Sequence, residues 1–274
     1  YQPNPARREY IPKKGNPSKT RPLGIPSTDD KLVQEVVRML LEAIYEPTFS
    51  TYSHGFRPKR SCHTALSEIK TTFSGVQWVI EGDIKACFDS FDHHVLIDIL
   101  RRRIKDEHFI ALMWKMLKAG YMEQWTYHRT YSGTPQGSGV SPILANIYLS
   151  ELDRYLEKYQ EQFRVGPQKR KASKEYEHAR QKYRAQKALL DHTHTKDTVR
   201  AFKEAQQNLL NTLYYPQADR DYQSLHFNRY ADDFVVGIIG SRKDAEQVKA
   251  DIRDFLANTL KLTLSEEKTK ITHS

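Results

Sequence analysis

The sequence predicts an α+β protein in which an antiparallel sheet packs on helices, and three observations predict it. An apolar run, Trp78–Asp83, has strand character and ends in an acid. A second strand pattern, 227–239, is interrupted by Ala231-Asp232-Asp233, which places two adjacent acids at a hairpin turn. Apolar residues at spacings of three and four mark amphipathic helices over 33–44, 141–159 and 244–260.

Taken in order, Asp29 or Asp30 caps a first helix whose face is Val33, Val36, Val37, Leu40, Leu41 and Ile44, ending before Pro47. Arg57, Lys59 and Arg60 precede a helix capped by Ser61. After the strand that Asp83 ends comes a helix-like stretch over 92–100, with Asp89 and Asp92 read as local hydrogen-bonding or capping residues. The segment 133–142 carries Gly133, Gly137, Gly139 and Pro135, which forbid regular structure until Ser141 caps a helix with Pro142 at its first position. That helix should run to about Tyr159 on a face of Leu144, Ile147, Tyr148, Leu152, Tyr155 and Tyr159. Its glycine-rich entry lets bases or phosphates approach the backbone.

Residues 160–225 form a very polar block with two helical stripes: Tyr176, Ala179, Tyr183 and Leu190, then Val199, Phe202, Leu209 and Leu213. The turn composition of 191–196 between them predicts an α-helical hairpin. Residues 1–9 and 164–174 are expected to be mobile. The last helix, 244–260, presents Val248, Ile252, Phe255 and Leu256 to one face of the sheet.

The 274 residues are 38% apolar and suffice for two subdomains with shared cores. No apolar run approaches the 18 or so residues of a membrane span, and the first residues lack a signal-peptide pattern. Two cysteines, Cys62 and Cys87, make neither a disulfide scaffold nor a paired metal spacing, and His192 and His194 lie in a polar turn. An intracellular, cytoplasmic setting is expected. The formal charge of +9 favours a polyanionic partner. It is concentrated: residues 1–60 hold 11 basic and 6 acidic side chains, residues 160–225 hold 13 and 8, and the remainder 19 and 20. Near-neutral acid-bearing strands flanked by basic blocks suit a protein that grips phosphates beside a cation site.

Six segments in succession carry a resemblance: Arg21 to Ser27 (RPLGIPS), His54 to Pro58 (HGFRP), Gly82-Asp83-Ile84, the loop from Gly133 (GTPQG) through Asn146, Tyr230-Ala231-Asp232-Asp233, and Glu266-Glu267-Lys268-Thr269. Their order and density resemble the group II intron-encoded reverse transcriptases, or maturases, over residues from about 10 to 272 apart from about 160–225. The resemblance implies a right-hand polymerase: residues 1–80 mainly fingers, 81–274 mainly palm with some fingers elements, and 160–225 a basic helical insertion. The primer-gripping hairpin and thumb that the family places next are absent after Ser274, so weak or no activity is expected of this piece.

Site roles follow from the same resemblance. Asp83, Asp232 and Asp233 with the Ile84 carbonyl would bind two Mg²⁺ ions, for which Mn²⁺ substitutes; a hard cation that keeps waters and substrate phosphates in its shell needs few protein carboxylates. Arg21 with Lys13 or Lys14 would clamp the nucleotide triphosphate, Gln136 would support the incoming nucleotide and template base, and Phe88 would be the aromatic gate against a ribose 2′-hydroxyl. Lys268, or Lys270 in its place, would assist the departing pyrophosphate. Arg57, Lys59 and Arg60, and in the insertion Lys169, Arg170 and Lys171, are the expected RNA contacts. The implied partners are group II intron RNA, an RNA template, a DNA primer, dNTPs and a second copy in a homodimer, with no membrane, in a bacterial or organellar interior. Two other readings are an RNA-binding splicing cofactor with an idle polymerase site, and a retron or CRISPR-associated reverse transcriptase, over which the Arg21-to-Ser27 and His54-to-Pro58 blocks favour the intron lineage.

Overall fold

A computed structural model describes the chain except for residues 14–15, 135–136, 168–169 and 216–221, and except for the side chains of 13 and 16–19. In chain order its elements are β1 (Ala6–Lys13), β2 (Asn16–Ile25), α1 (Thr28–Tyr45), a short 3₁₀ turn (Glu46–Thr48), α2 (Cys62–Thr72), β3 (Trp78–Asp83) and α3 (Cys87–Ser90). There follow α4 (His93–Arg101), α5 (Glu107–Leu117), β4 (Tyr121–Glu123), β5 (Thr126–His128), α6 (Ser141–Phe163), α7 (Lys174–His192) and α8 (Lys196–Asn211). The chain closes with β6 (Ser224–Tyr230), β7 (Asp233–Ile239), α9 (Arg242–Thr259) and β8 (Lys270–His273). The α+β class expected from the sequence is what forms.

The chain divides into two compact units, residues 1–162 with 225–274, and residues 163–224. The first contains both sheets. One has strand order β6-β7-β3-β8, with β3 antiparallel to β7 and to β8. Its apolar residues, Ile80 on β3 and Phe234, Val236, Ile238 and Ile239 on β7, are buried. Helix α9 packs against β3 and buries Ala245, Val248, Ile252 and Leu256. Phe255, expected on the same face, is stacked on Tyr155 of α6 with ring centroids 4.1 Å apart.

The other sheet, β2-β1-β4-β5, was not foreseen. Prolines hid it: Pro17 and Pro22 lie in β2, an edge strand where a missing N–H costs no ladder bond. β1 pairs antiparallel with β2 and parallel with β4. β4 and β5 form a hairpin turned through Gln124 and Trp125, both at positive φ.

The helices follow the sequence pattern with two corrections. Helix α1 is capped by Ser27, whose side chain accepts the Asp30 N–H, and not by Asp29 or Asp30. Asp30 is buried and bound instead by Tyr1, Asn4 and Ser27. The buried stripe of α1 is Val37, Leu41 and Tyr45, whereas Val36, Leu40 and Ile44 of the expected face point outward. Helix α6 runs past Tyr159 to Phe163, and its first half is buried almost all round, polar Asn146 and Asp153 included.

The second unit is a helical hairpin. α7 and α8 pack against each other, Ala179 and Ala205 are buried, and Tyr183 meets Phe202 with ring centroids 5.4 Å apart. Leu213, expected on the second stripe, lies beyond α8 and is exposed. Among the described residues no helix is long and apolar enough to cross a membrane.

Candidate active site

The acids of the two central strands converge because of register. Asp83 is the last residue of β3 and Asp233 the first of β7, and the ladder pairs them directly opposite each other. Asp232 lies in the two-residue turn between β6 and β7, preceded by Ala231 in the left-handed conformation (φ 58°). Behind them Gly82 faces Phe234, whose ring occupies the space a Cβ at Gly82 would need. Ile84 continues from Asp83 into a bridge with Leu264, and Ser265 N–H donates to the Asp83 carbonyl at 2.8 Å.

That bridge brings the chain's last turn to the acids. Lys268 Nζ donates to both carboxylate oxygens of Asp83, at 3.1 and 3.0 Å, which also raises its own pKa. Lys270 instead sits on β8 opposite Glu81, so of the two lysines Lys268 is the one at the carboxylates. Lys249 of α9 steadies the turn through Glu266 (2.9 Å) and the Thr269 carbonyl (3.2 Å).

Burial and neighbouring carboxylates raise the pKa of two of these acids. Burial and then the charge of Asp83 push the carboxyl of half-buried Asp232 above the usual range. Asp233 is exposed overall, yet desolvation of its carboxyl followed by Asp232 and Asp83 raises it too. Like charges directly opposite across a ladder are destabilising, and one lysine faces three carboxylates. An all-carboxylate oxygen donor set fits a hard divalent cation. No closed cage of three metal-ligating side chains is assembled among the described residues; an open site completed by water and substrate phosphate needs none.

Beneath the turn lies a buried polar cluster that sequence reasoning missed. Arg229, with no exposed surface, donates through Nε and Nη2 to the two oxygens of Asp153 at 2.7 and 2.6 Å. Its remaining N–H groups reach Ser53 Oγ (2.8 Å), Asn146 Oδ1 (3.3 Å) and the Ala231 carbonyl (2.7 Å). Asn146 in turn donates to the Gly55 carbonyl at 2.8 Å. The available signal was the seven-residue spacing of Asn146 and Asp153, which puts two polar side chains two turns apart on one side of the helix.

The HGFRP segment supports the turn from the other side. Ser53 bridges Arg229 through the backbone, and a Cβ on Gly55 would overlap the Ala231 main chain. His54 is buried between Thr64 (2.8 Å) and Glu68 (2.6 Å) of α2. Arg57 is a correction to the sequence reading. Instead of facing outward for RNA, its guanidinium is spent on Glu46 and on the carbonyls of Ser50 and Ser53, leaving its side chain 6% exposed.

The other expected residues are spread more widely. Phe88, in α3, is half-buried with Phe91 and exposed Phe56 about its ring, at centroid distances of 6.0 and 6.2 Å. Arg21 is exposed on β2, Lys59 is exposed, and Arg60 donates to the Thr51 carbonyl at 2.7 Å. Lys14, Gln136 and Lys169, and the side chain of Lys13, lie outside the described residues. Gly137, beside Gln136, packs so closely on β2 that a Cβ would lie 3.0 Å from the Gly24 carbonyl. A groove of about 340 Å³ opens there, lined by Arg8, Pro22, Gly24, Asp89, Arg129 and Tyr131 among others. In the second unit Arg170 lies over the rings of Tyr215 (4.8 Å) and Tyr222 (5.7 Å), and Lys171 is exposed.

Paired acids at a strand end and hairpin turn, carried on an antiparallel sheet, define the palm of a nucleotidyl-transferring polymerase. Residues 11–170 match the family model described as reverse transcriptase (RNA-dependent DNA polymerase), and the chain belongs to that family. Within it the chain sits with the group II intron-encoded proteins. It is 46% identical over 275 residues to group II intron-encoded protein LtrA of Lactococcus lactis subsp. cremoris, covering 100% of this chain and 45% of that protein. An uncharacterized 91 kDa protein in a cob intron of Schizosaccharomyces pombe is 46% identical over 98% of this chain and 32% of its own length. The chain thus spans less than half the length of either relative. Among solved structures, a Candida albicans telomerase aligns with a TM-score of 0.58 over 99% of this chain and 42% of that one, and at 12% identity it shows a shared fold.

Proposed function

We propose that this chain is the fingers-and-palm part of an RNA-directed DNA polymerase encoded by a group II intron, adding dNTPs to a primer 3′-hydroxyl on an RNA template. The observation that carries the reading is the in-register opposition of Asp83 and Asp233, with Asp232 at the adjoining turn. Asp83, Asp232 and Asp233, with the Ile84 carbonyl, would hold divalent cations, Mg²⁺ by the preference of hard ions for carboxylate oxygen. When bound, such ions stabilise the attacking and leaving oxygens of phosphoryl transfer.

The chain's own groups do the rest. Lys268, held at Asp83 by two hydrogen bonds, is placed to give a proton or positive charge to the departing pyrophosphate. Arg21, with Lys13 or Lys14, grips the triphosphate, since a guanidinium fork matches phosphate oxygens. Phe88 closes the ribose side against a 2′-hydroxyl, and Gln136 supports the nascent pair. Residues 1–80 serve mainly as fingers and 81–274 mainly as palm, the basic unit within 160–225 binding structured intron RNA through residues such as Lys169, Arg170 and Lys171 to aid splicing and mobility. Lys59 and Arg60 are the template-side contacts retained from the sequence; Arg57 is not among them.

Primer extension at enzyme excess, with Mg²⁺, a DNA primer and an RNA template, tests the reading. The chain should add dNTPs, and Asp232→Ala should abolish addition. Should the chain bind RNA without extending, a thumb-containing form is assayed in the same way, and RNA binding without extension by that form would favour a splicing cofactor with an idle site.

A further inference from the structure

We propose that Arg229 is a positioning residue for the acidic turn: its buried guanidinium holds the Ala231 carbonyl and thereby aims Asp232 and Asp233 at the cation. The inference rests on the cation-site reading above and adds the device that shapes the site.

Three features of the geometry carry it. First, a guanidinium has five N–H donors, and each of Arg229's is used, with Asp153, Asn146, Ser53 and Ala231 as acceptors. Four of the five bonds tie it to α6 and to the loop at Ser53, so the fork cannot swing. The fifth reaches the turn. Second, that fifth acceptor is the carbonyl of the peptide joining Ala231 to Asp232. A peptide is planar, so fixing its oxygen also fixes the Asp232 nitrogen and Cα, the atoms from which the Asp232 side chain is hung. Third, Ala231 has φ 58°, a left-handed conformation that residues with a Cβ adopt rarely and keep only when surroundings dictate it.

The main chain of Arg229 is pinned as well. Its N–H donates to the Tyr52 carbonyl at 2.8 Å and its carbonyl accepts from His54 N–H at 2.9 Å. The turn is therefore braced from below by a fully bonded cation and from the side by Gly55, which has no Cβ to push Ala231 away. Packing alone does not demand an arginine, because well-packed apolar residues replace buried ion pairs without loss of folding in many proteins. What an apolar replacement cannot supply is the N–H to Ala231.

The test separates positioning from stability. Mn²⁺ binding by the intact chain is measured from the EPR signal of free Mn²⁺, alongside thermal melts, for Arg229→Lys, the apolar double variant Arg229→Met/Asp153→Leu, Ile252→Ala and Asp232→Ala. Arg229→Lys and the double variant should fold yet bind Mn²⁺ about 10–100-fold more weakly, the usual effect of removing a group that orients a metal ligand. Ile252→Ala, a cavity under α9 remote in sequence from the turn, should lower the melting temperature and keep the affinity. Parent-like Mn²⁺ affinity in the folded double variant overturns the proposal. Should that variant not fold, Arg229→Lys decides by the same criterion. If Asp232→Ala leaves Mn²⁺ binding intact, the cation-site reading falls and this inference with it; loss in Asp232→Ala with full binding in the arginine variants overturns this inference alone.

Discussion

Gly55 and Lys268 show how differently single residues at one site contribute. A Cβ at Gly55 would overlap the Ala231 main chain, so Gly55→Ala should cost about 1–3 kcal/mol by overpacking and misplace the turn. Thermal melts and primer extension together check this, and both should fall. Lys268 is the reverse case. Its side chain is 68% exposed, and an exposed ion pair is worth at most about 1 kcal/mol, so Lys268→Ala should hardly move the melting temperature. If it serves the leaving pyrophosphate, the same change should slow single-nucleotide addition by roughly 10²-fold or more. A large loss of stability with normal turnover would place it among structural residues instead.

Among elements, those with one dominant signal were legible in the sequence. Strand β3, the hairpin of β6 and β7, helices α6 and α9, and the α7–α8 hairpin each show a clear period, and each formed. The β1–β2 hairpin was not legible, because the prolines of β2 read as loop until its edge position excuses them. The outward half of the α1 face misled because apolar spacing marks an apolar stripe without saying what covers it. The acids and Lys268 could be named from their motifs, whereas the Arg229 cluster could not, since its partners Ser53, Asn146, Asp153 and Ala231 come from distant segments. The helical hairpin offers an independent check. Ala179 of α7 and Ala205 of α8 are buried, so Ala205→Leu should cost about 1–3 kcal/mol. Hydrogen exchange should quicken within 174–211 and stay unchanged in β3 and β7; uniform acceleration would show that the two units unfold together.

For the whole molecule, pH should act first through buried histidines. Burial lowers the pKa of His54, against the pull of Glu68, and that of His93, whose Nε2–H donates to the Gly133 carbonyl at 2.8 Å. An unfolded histidine takes up a proton below the ordinary 6.5 while the folded one resists, so their stabilisation is complete above that value and is lost as pH falls. Stability should therefore fall as pH drops through about 6.5 and below, by up to about 1.4 kcal/mol per pH unit for each histidine, and the melting temperature with it. His93→Gln should flatten the profile, and an unchanged slope would assign it elsewhere. Asp232 and Asp233 carry the opposite sign. Their raised pKa values mean that protonation in the acid range relieves the repulsion among the carboxylates, and at neutral pH a bound cation should do the same. The central claim is that register-opposed acids of one sheet form the cation centre of a polymerase. Its most direct test is a crystal grown with Mn²⁺, primer–template and a non-incorporable dNTP, read by anomalous scattering. Mn²⁺ peaks within carboxylate reach of Asp83 and Asp232, beside the triphosphate, are the expected result. Mn²⁺ bound elsewhere, with Lys268 still seated on Asp83, would contradict it.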